Sequence, residues 1–331
     1  MIHCIGHSII SPLGVGSQAN YEAVKAGHSG LKRYDSRFDD VEPLCASLFD
    51  TPQSFVPLCV KSVELALQES RVKSQESGVI FILSTTKGDR LDLLTPAQQI
   101  ARHFGNPNRP IVVSNACTSG VCAQITAMRL LEAGLYEHAI VVGCDIQTRF
   151  IVSGFQSFKA LSPEPCLPFS PERKGLNLGE AAATIIYSKG EERKANGEGQ
   201  KSYWTLEAGS IHNDANHLSA PSRTGEGAYR CLMDVMEGVK PEDIALIGVH
   251  GTATLYNDDM ERIAIERAGL QNVPMSVLKP YYGHTMGAAG VLETILGVMA
   301  SGEGRKDERR MIKMLSGFGG VNAAIRLKVE R

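Results

Sequence analysis

Apolar residues follow two patterns along this chain. Continuous apolar runs bounded by glycine, proline or polar residues predict buried strands, and they occupy 2–10, 78–83, a run from 111, 138–145, 183–187, 204–211, 244–251 and both halves of 311–329. Apolar residues with helical spacing predict helices at 19–26, 60–69, 95–104, 226–237 and about 258–268. This alternation predicts an α/β fold with a largely buried sheet.

Two further stretches share one design, in which a strand, a turn and a nearly all-apolar helix follow each other. They are SNACTSGVCAQITAMRLLEAG at 114–134 and LKPYYGHTMGAAGVLETILGV at 278–298. The repeat indicates an internal duplication, and helices that are apolar all round are buried ones. We therefore expect five layers, α-β-α-β-α, in which two such helices lie between two sheets.

The predicted halves are residues 1–190 and 191–331. The polar, glycine-rich stretch GEERKANGEGQK at 190–201 is the best candidate for an exposed connection between them. The N-terminal half carries the turn with Cys117, and the C-terminal half carries His250 and His284.

Composition fits a soluble α/β enzyme of ordinary kind. The 331 residues are 43% hydrophobic and 21% charged, and a net charge of −2 gives no general attraction to nucleic acid or an anionic membrane. The start of the chain reads as a strand rather than a signal peptide, and no apolar run is long enough for a membrane span. The eight cysteines form no CxxC pair, so we expect reduced thiols and a cytoplasmic protein.

Cys117 stands out because it lies where a buried strand turns into a buried helix. The N-terminus of a helix carries free N–H groups and partial positive charge, which lower the pKa of a thiol and favour a nucleophile. The plainer alternative is that Cys117 is a small buried apolar residue, like its neighbour Cys122.

Two histidines change that balance. His250 ends the apolar strand of VHGTATLYNDD, and His284 follows Lys279 in the glycine turn of LKPYYGHTMGAAG. Each alone could be a strand-end histidine or part of a helix-capping turn. Ligand sites of α/β sheets lie at the carboxyl ends of the strands, so a cysteine and two histidines at such ends favour an active site.

The motifs ACTSG, HGTAT, KPYYGHTMGAAG and GFGGVN, with SPLG and PFSPERKGLNLGE, occur in the order seen in one family. Together they resemble the β-ketoacyl-acyl-carrier-protein synthases, the Cys-His-His condensing enzymes of the thiolase superfamily. The resemblance implies the thiolase-like five-layer fold and acyl transfer followed by decarboxylative condensation with malonyl-carrier protein.

The resemblance also implies residue roles. Cys117 matches the acyl-accepting nucleophile, and His250 and His284 match the pair that binds the malonyl thioester oxygen as CO2 leaves. Lys279 matches a lysine expected to pair with Glu261. Thr252 and Thr254 match the hydroxyls that hold the phosphopantetheine arm. Phe318 matches the gating aromatic residue, and its backbone amide would form the oxyanion hole with that of Cys117. Asp258 and Asn322 match supporting positions.

This chemistry suits these residue types. Two neutral imidazoles can stabilise an enolate oxygen without protonating the carbanion, and a covalent acyl-cysteine lets one pocket serve both substrates in turn. No cofactor is then required, because phosphopantetheine arrives on the acyl carrier protein. A zinc site of Cys117, His250 and His284 uses the right ligand types, but thiol, imidazoles and a glycine-rich channel favour condensation, so no metal is predicted.

The chain also departs from the family pattern. The segment LDLLTPAQQIARHFGNPNRP before Cys117 is short, which leaves substrate length and partner choice open. The last cysteine is Cys231, so the second catalytic cysteine of thiolases has no counterpart, and His284 stands where initiating synthases carry asparagine. These differences favour an elongating synthase.

Three functional hypotheses remain. The first is an active synthase that works with an acyl carrier protein, as a homodimer or in a heterodimer with another ketosynthase-like subunit. The second is a non-elongating, chain-length-factor-like partner subunit. The third is a decarboxylase or acyltransferase that uses the same residues without forming a carbon–carbon bond.

Overall fold

The computed structural model describes residues 1–39, 41–190, 203–302 and 309–329, and a large mixed sheet organises them. Its predicted linker, apart from Gly190, lies outside the described residues, so the boundary between the halves stays a prediction. The strands are β1 (Ile2–Ser11), β2 (Gly14–Val15), β3 (Lys32–Tyr34), β4 (Leu44–Ser47), β5 (Val79–Ser84), β6 (Ile111–Val113), β7 (His138–Asp145), β8 (Leu178–Gly179), β9 (Ala181–Lys189), β10 (Trp204–Asn213), β11 (Ile244–Gly248), β12 (Met275–Ser276), β13 (Arg309–Gly317) and β14 (Val321–Val329).

The strand order confirms the predicted duplication. In the first half the order is β1-β9-β7-β5-β6, and in the second it is β10-β14-β13-β11-β12. Both halves begin with two antiparallel pairings and end with two parallel ones. The same topology is therefore built twice from different sequences.

The two half-sheets join through β1 and β10, which pair antiparallel over only three residues of each strand. The expected two sheets are thus continuous at this seam. Beyond it the half-sheets diverge, and two helices lie between them.

The helices complete the layers. They are α1 (Ser17–Lys25), α2 (Phe55–Glu69), α3 (Leu94–His103), α4 (Ser119–Glu132), α5 (Arg149–Ser157), α6 (Glu226–Val235), α7 (Leu255–Arg267), α8 (Lys279–Tyr282) and α9 (Ala289–Gly302). The apolar helices α4 and α9 pack against each other in the middle, α2 and α3 cover the first half-sheet, and α6 packs on the second half-sheet with α7 against it. The predicted five-layer arrangement is confirmed.

Sequence patterns missed a small region beside the site. The strands β3, β4 and β8 form a separate sheet, and α5 packs near it in a fourth apolar cluster. These strands are two to four residues long, too short for a periodic pattern to identify them. The described part of the chain contains no helix that is both long and apolar enough to cross a membrane.

Candidate active site

The turn that carries Cys117 is held in an unusual backbone conformation. It connects β6 to α4, and Ala116 has a φ of 49°, in the left-handed region that non-glycine residues rarely occupy. The Ser119 hydroxyl accepts a hydrogen bond from the Asn115 amide at 2.7 Å and donates one to the Ala116 carbonyl at 2.6 Å. These two bonds stabilise the turn and fix Cys117 just before the first residue of the helix.

His284 occupies the corresponding position in the second half, between the short helix α8 and α9. Its amide donates to the Asn177 carbonyl at 2.6 Å, and Met286 nearby has a φ of 54°. The two turns meet because α4 and α9 touch at glycines. A Cβ on Gly290 would lie 2.5 Å from the amide nitrogen of Val121, and one on Gly120 would lie 2.8 Å from the Gly290 Cα.

His250 lies two residues beyond the end of β11. The buried Glu261 carboxylate from α7 accepts hydrogen bonds from the amides of His250 at 2.6 Å and Gly251 at 2.7 Å. Burial raises the pKa of Glu261 to about 7, while the Gly251 amide opposes that shift. Glu261 therefore positions the His250 turn.

The predicted pairing of Lys279 with Glu261 is wrong. The buried Lys279 ammonium bonds instead to the Glu293 carboxylate of α9. Glu261 is occupied by backbone amides and by the Asn257 side chain at 2.9 Å. Glu293 is available to Lys279 because it lies one turn into the helix that follows the Lys279–His284 segment.

The structure brings Cys117, His250 and His284 together, although they are far apart in sequence. One ligand atom from each lies within 4.8 Å of the other two, and all three residues are buried. The imidazole rings are edge to face, with centroids 5.0 Å apart. This geometry suits two donors directed at one oxygen beside a nucleophilic sulfur.

Both imidazoles are held neutral, as expected for enolate stabilisation. Burial, followed by the nearby Lys279 charge, keeps the pKa of His250 and of His284 well below its usual value. The His284 Nδ1 accepts a long hydrogen bond of 3.4 Å from the Met286 amide. This leaves the proton on Nε2, which can donate into the chamber.

The expected low pKa of Cys117 is wrong. Burial raises its pKa to about 11, although Lys279 and the backbone amides of Phe318 and Cys117 act in the opposite direction. The helix N-terminus does not outweigh desolvation in so dry a position. The resting group is therefore a neutral thiol, and a nucleophilic role for this sulfur would require that its proton be removed.

Sequence reasoning missed a buried charge cluster behind the histidines. Glu293 accepts hydrogen bonds from both Lys279 and Lys313, the latter at 2.5 Å. Burial alone would raise the pKa of Glu293, but the two lysines lower it below the usual 4.5. The available signal was that Glu293 and Lys313 are the ionisable residues inside the apolar runs AGVLETILGVMA and MIKMLSG.

A second missed residue is Asp145, at the end of β7. Its buried carboxylate accepts from the Gly287 amide at 2.8 Å and from Thr85 and Thr86. It thereby ties the turn before α9 to the end of β5. The signal in the sequence was an acidic residue at the end of an apolar strand, but the sequence did not show which groups it would bond to.

Cys117, His250 and His284 line a cavity of about 430 Å³, and Phe318, Thr252 and Thr254 line it as well. The threonine hydroxyls lie 2.9 Å apart. The half-exposed Phe318 ring stacks on Phe155, with centroids 5.8 Å apart, and its backbone amide acts to lower the pKa of the nearby Cys117 thiol. These positions match the predicted arm-binding, gate and oxyanion-hole sites in space, and the roles remain predictions.

The two predicted supporting residues brace loops rather than touch the cavity. Asp258 accepts from the amides of Phe169 at 2.7 Å and Ala253 at 3.1 Å. Asn322 accepts from the Ser316 hydroxyl at 2.6 Å and donates to Asp214 at 3.0 Å. They stabilise the HGTAT loop and the turn that carries Phe318.

The same three ligand atoms have the spacing and residue types of a zinc site with an open fourth position. Two features weigh against a dication there. Two ammonium groups share one carboxylate directly behind the imidazoles, and the His284 Nδ1 bond fixes the tautomer whose Nε2 carries hydrogen. The charge distribution is instead suited to stabilising a developing anion.

Comparison with known protein families agrees with the motifs. Residues 69–192 match the model of the beta-ketoacyl synthase N-terminal domain, and residues 203–305 match that of the beta-ketoacyl synthase C-terminal domain. Together they span more than half of the chain.

Individual relatives are similar in sequence or in fold. The chain is 34% identical, over 64% of its length and 52% of the relative's, to 3-oxoacyl-[acyl-carrier-protein] synthase 2 of Rhizobium meliloti (strain 1021). A chain from the complex of a ketosynthase with its chain length factor, from Xenorhabdus doucetiae, has a TM-score of 0.83 and 23% identity over 99% of this chain and 98% of that one. A type II polyketide ketosynthase complex with an acyl carrier protein gives 0.85 and 20%, over 99% of each chain.

The two solved structures support the fold, since their sequence identities are low. The chain spans about half the length of the curated relatives it matches.

Proposed function

Since the chain belongs to the beta-ketoacyl synthase family, we propose that it catalyses decarboxylative Claisen condensation of malonyl-carrier protein with an acyl group held on Cys117. This reaction is that of an acyltransferase, a 3-oxoacyl-[acyl-carrier-protein] synthase in fatty acid or polyketide-type biosynthesis. The observation that carries the proposal is the buried thiol with two neutral imidazoles, all within 4.8 Å.

The first step is acyl transfer. The Cys117 sulfur attacks the acyl thioester, its proton passes to an imidazole and then to the departing carrier thiolate, and a free carrier thiol leaves. The amides of Phe318 and Cys117 act to lower the pKa of the Cys117 thiol, and from positions beside the sulfur they would stabilise the oxyanion of the tetrahedral intermediate. A neutral resting thiol protects Cys117 from side reactions until a thioester enters.

The second step forms the carbon–carbon bond. The malonyl carboxylate leaves as CO2, and the electron pair moves onto the thioester oxygen, which accepts from the Nε2–H of His284 and from His250. The resulting enolate carbon attacks the acyl-Cys117 carbonyl, the bond from that carbonyl to sulfur breaks, and the cysteine thiolate takes up one proton from solvent. Oxidation states balance without an external oxidant or reductant, so the proposal requires no cofactor of the chain itself.

The partner proposed for both steps is an acyl carrier protein. Its phosphopantetheine arm would pass Thr252 and Thr254, which line the cavity beside Leu255 and Tyr256. Lys159, Arg173 and Lys174 line the same cavity, and Lys159 and Lys174 are solvent-exposed. These cations suit a phosphate and an acidic carrier surface in the cytoplasm.

We also propose that the chain works as a dimer, with itself or with a ketosynthase-like subunit. The strand β6 ends the first half-sheet, and its three residues Ile111–Val113 are apolar and only partly buried. An uncovered apolar edge strand is a ready surface for pairing with another chain.

Mass spectrometry of the purified chain with acyl-carrier protein tests the function. We expect an acyl adduct on Cys117 that disappears when malonyl-carrier protein is added, with release of CO2 and a product longer by two carbons. An unmodified Cys117, where a known synthase loads, would contradict the proposal and favour a chain-length-factor-like subunit. Release of CO2 without a longer product would favour a decarboxylase.

A further inference from the structure

Lys313 is a fully buried lysine that the proposed reaction does not use. It lies in β13, and its ammonium donates to the Glu293 carboxylate at 2.5 Å and to the Val249 carbonyl at 2.8 Å. Val249 directly precedes His250. Burying an ammonium group costs free energy that pairing only partly offsets. The position of Lys313 beside the turn that carries His250 therefore indicates a role for its charge.

The cluster has more positive than negative charge. Glu293 already has a partner in Lys279, and that pair would be neutral by itself. Lys313 adds a second ammonium to the same carboxylate. Burial lowers the pKa of Lys313, as does the nearby Lys279, while the Glu293 carboxylate acts in the opposite direction and favours the charged form. With both lysines protonated, the three side chains together carry one net positive charge. In a dry site this charge acts on the neighbouring imidazoles with little screening.

We propose that Lys313 is a positioning residue for the proposed condensation: it gives the chamber a fixed positive charge that keeps His250 and His284 unprotonated and favours an anionic substrate. This rests on the proposed function. The charge also stabilises the enolate as CO2 leaves, while the bond to the Val249 carbonyl holds the His250 turn in place.

Other ionisable groups also surround the imidazoles, and Lys279 is the second cation among them. The acidic groups are Glu261 and Asp258 from α7 and Asp145 from β7, and each bonds chiefly to backbone amides or hydroxyls. Cys117 is a neutral thiol. Repulsion by Lys313 contributes, after burial and Lys279, to the low pKa of both histidines.

The test is a titration of the histidines by NMR in the free protein, without substrate. Labelled imidazole resonances would be assigned with substitutions at His250 and His284 and followed in wild type, Lys313→Met and Lys87→Met. Lys87 is a matched control, since it is also buried and its ammonium bonds to the Gly88 carbonyl, away from the histidine turn.

We expect Lys313→Met to raise the pKa of both imidazoles by roughly one unit, the size of a nearby like charge, and Lys87→Met to leave them unchanged. The acid limb of malonyl decarboxylation should move upward by the same amount. Folding should survive, because Glu293 keeps Lys279. Lys313→Gln, which retains a donor for the Val249 carbonyl, should give the same titration.

Unchanged imidazole titration in both Lys313 variants would overturn the inference, as would loss of folding in both, because the role would then be structural. This outcome is separable from the proposed function. A chain that condenses substrates without the titration shift refutes only the role of Lys313. A chain that shows the shift but never loads Cys117 refutes the condensation.

Discussion

The turns before α4 and α9 occupy equivalent places in the two halves, yet they carry different chemistry. One presents a thiol and the other an imidazole, and each has a non-glycine residue with positive φ, Ala116 and Met286. Contact between Gly120 and Gly290 brings the two helix starts together. A duplicated scaffold thus places a thiol and an imidazole face to face, because the two turns carry different side chains.

The connections within the equivalent antiparallel pairs β7–β9 and β13–β14 differ more. In the second half β13 and β14 are joined by a tight turn from Gly317 to Val321, whereas in the first half the chain makes a long excursion between Asp145 and Ala181. That excursion contains α5, whose Phe155 stacks on Phe318. The longer connection therefore supplies one wall of the cavity, and the shorter turn contributes Phe318 beside it.

Alanine substitutions at Cys117 and at His284 should separate acyl loading from malonyl decarboxylation. Cys117→Ala should abolish the acyl adduct completely, while decarboxylation persists. His284→Ala should still load but lose roughly 10²- to 10³-fold in decarboxylation, because an oxyanion donor is missing. Adduct mass and CO2 release measure both, and His212→Ala, outside the cavity, is the control. Equal loss of both steps in both variants would contradict the division of labour.

Removing the Glu293 carboxylate, which Lys279 and Lys313 share, should lower the stability of the protein substantially. Glu293→Gln leaves two buried ammonium groups without an anion, and we expect a loss of about 3–5 kcal/mol in the free energy of unfolding. Glu261→Gln should cost less, since an amide oxygen can still accept from the backbone. Denaturant unfolding at neutral pH measures both.

The pH dependence of this effect has a definite sign. The pKa of Glu293 lies below its usual 4.5 in the folded chain, so its stabilising contribution is present above that value and is lost as the pH falls further. The gap between wild type and Glu293→Gln should therefore narrow in acid. A larger loss of unfolding free energy for Glu261→Gln than for Glu293→Gln would contradict Glu293 as the main partner of Lys279 and would favour the Lys279–Glu261 pair expected from the sequence.

Separating the two helix starts should weaken the coupling between the turns. Gly290→Ala places a methyl group against the Val121 amide, and we expect roughly 1–3 kcal/mol of destabilisation and up to about 10²-fold lower turnover from misplacement. Gly302→Ala, at the other end of α9 with only an ordinary contact at 3.4 Å, is the matched control. Equal effects of the two substitutions would show that the glycine contact does not matter.

The pH dependence of Cys117 alkylation should show whether its thiol has the high pKa of a desolvated group or the low pKa of an activated thiol at a helix N-terminus. With a pKa of about 11, the thiolate fraction rises about tenfold for each pH unit between 7 and 10. The rate of labelling by iodoacetamide, with Cys117→Ser as background, should rise accordingly without levelling. A plateau near neutral pH would indicate the low pKa that the sequence suggested.

The sequence could predict the duplicated fold because long apolar runs determine strands and buried helices directly. It also singled out Cys117, His250 and His284, each in a turn at the end of a strand or the start of a helix, and the structure brings these three residues together. It could not identify the partner of Lys279 or the pKa of Cys117. Both depend on tertiary contacts, namely which carboxylate reaches a buried ammonium and how completely water is excluded.

The most direct test of the reaction chamber is a crystal structure with an acyl group trapped on Cys117. We expect a carbonyl oxygen about 2.7–3.1 Å from the amides of Phe318 and Cys117, a separation typical of an oxyanion hole, with both imidazoles facing the thioester across the same cavity. An acyl oxygen that points away from these amides, or imidazoles turned from the thioester, would contradict it.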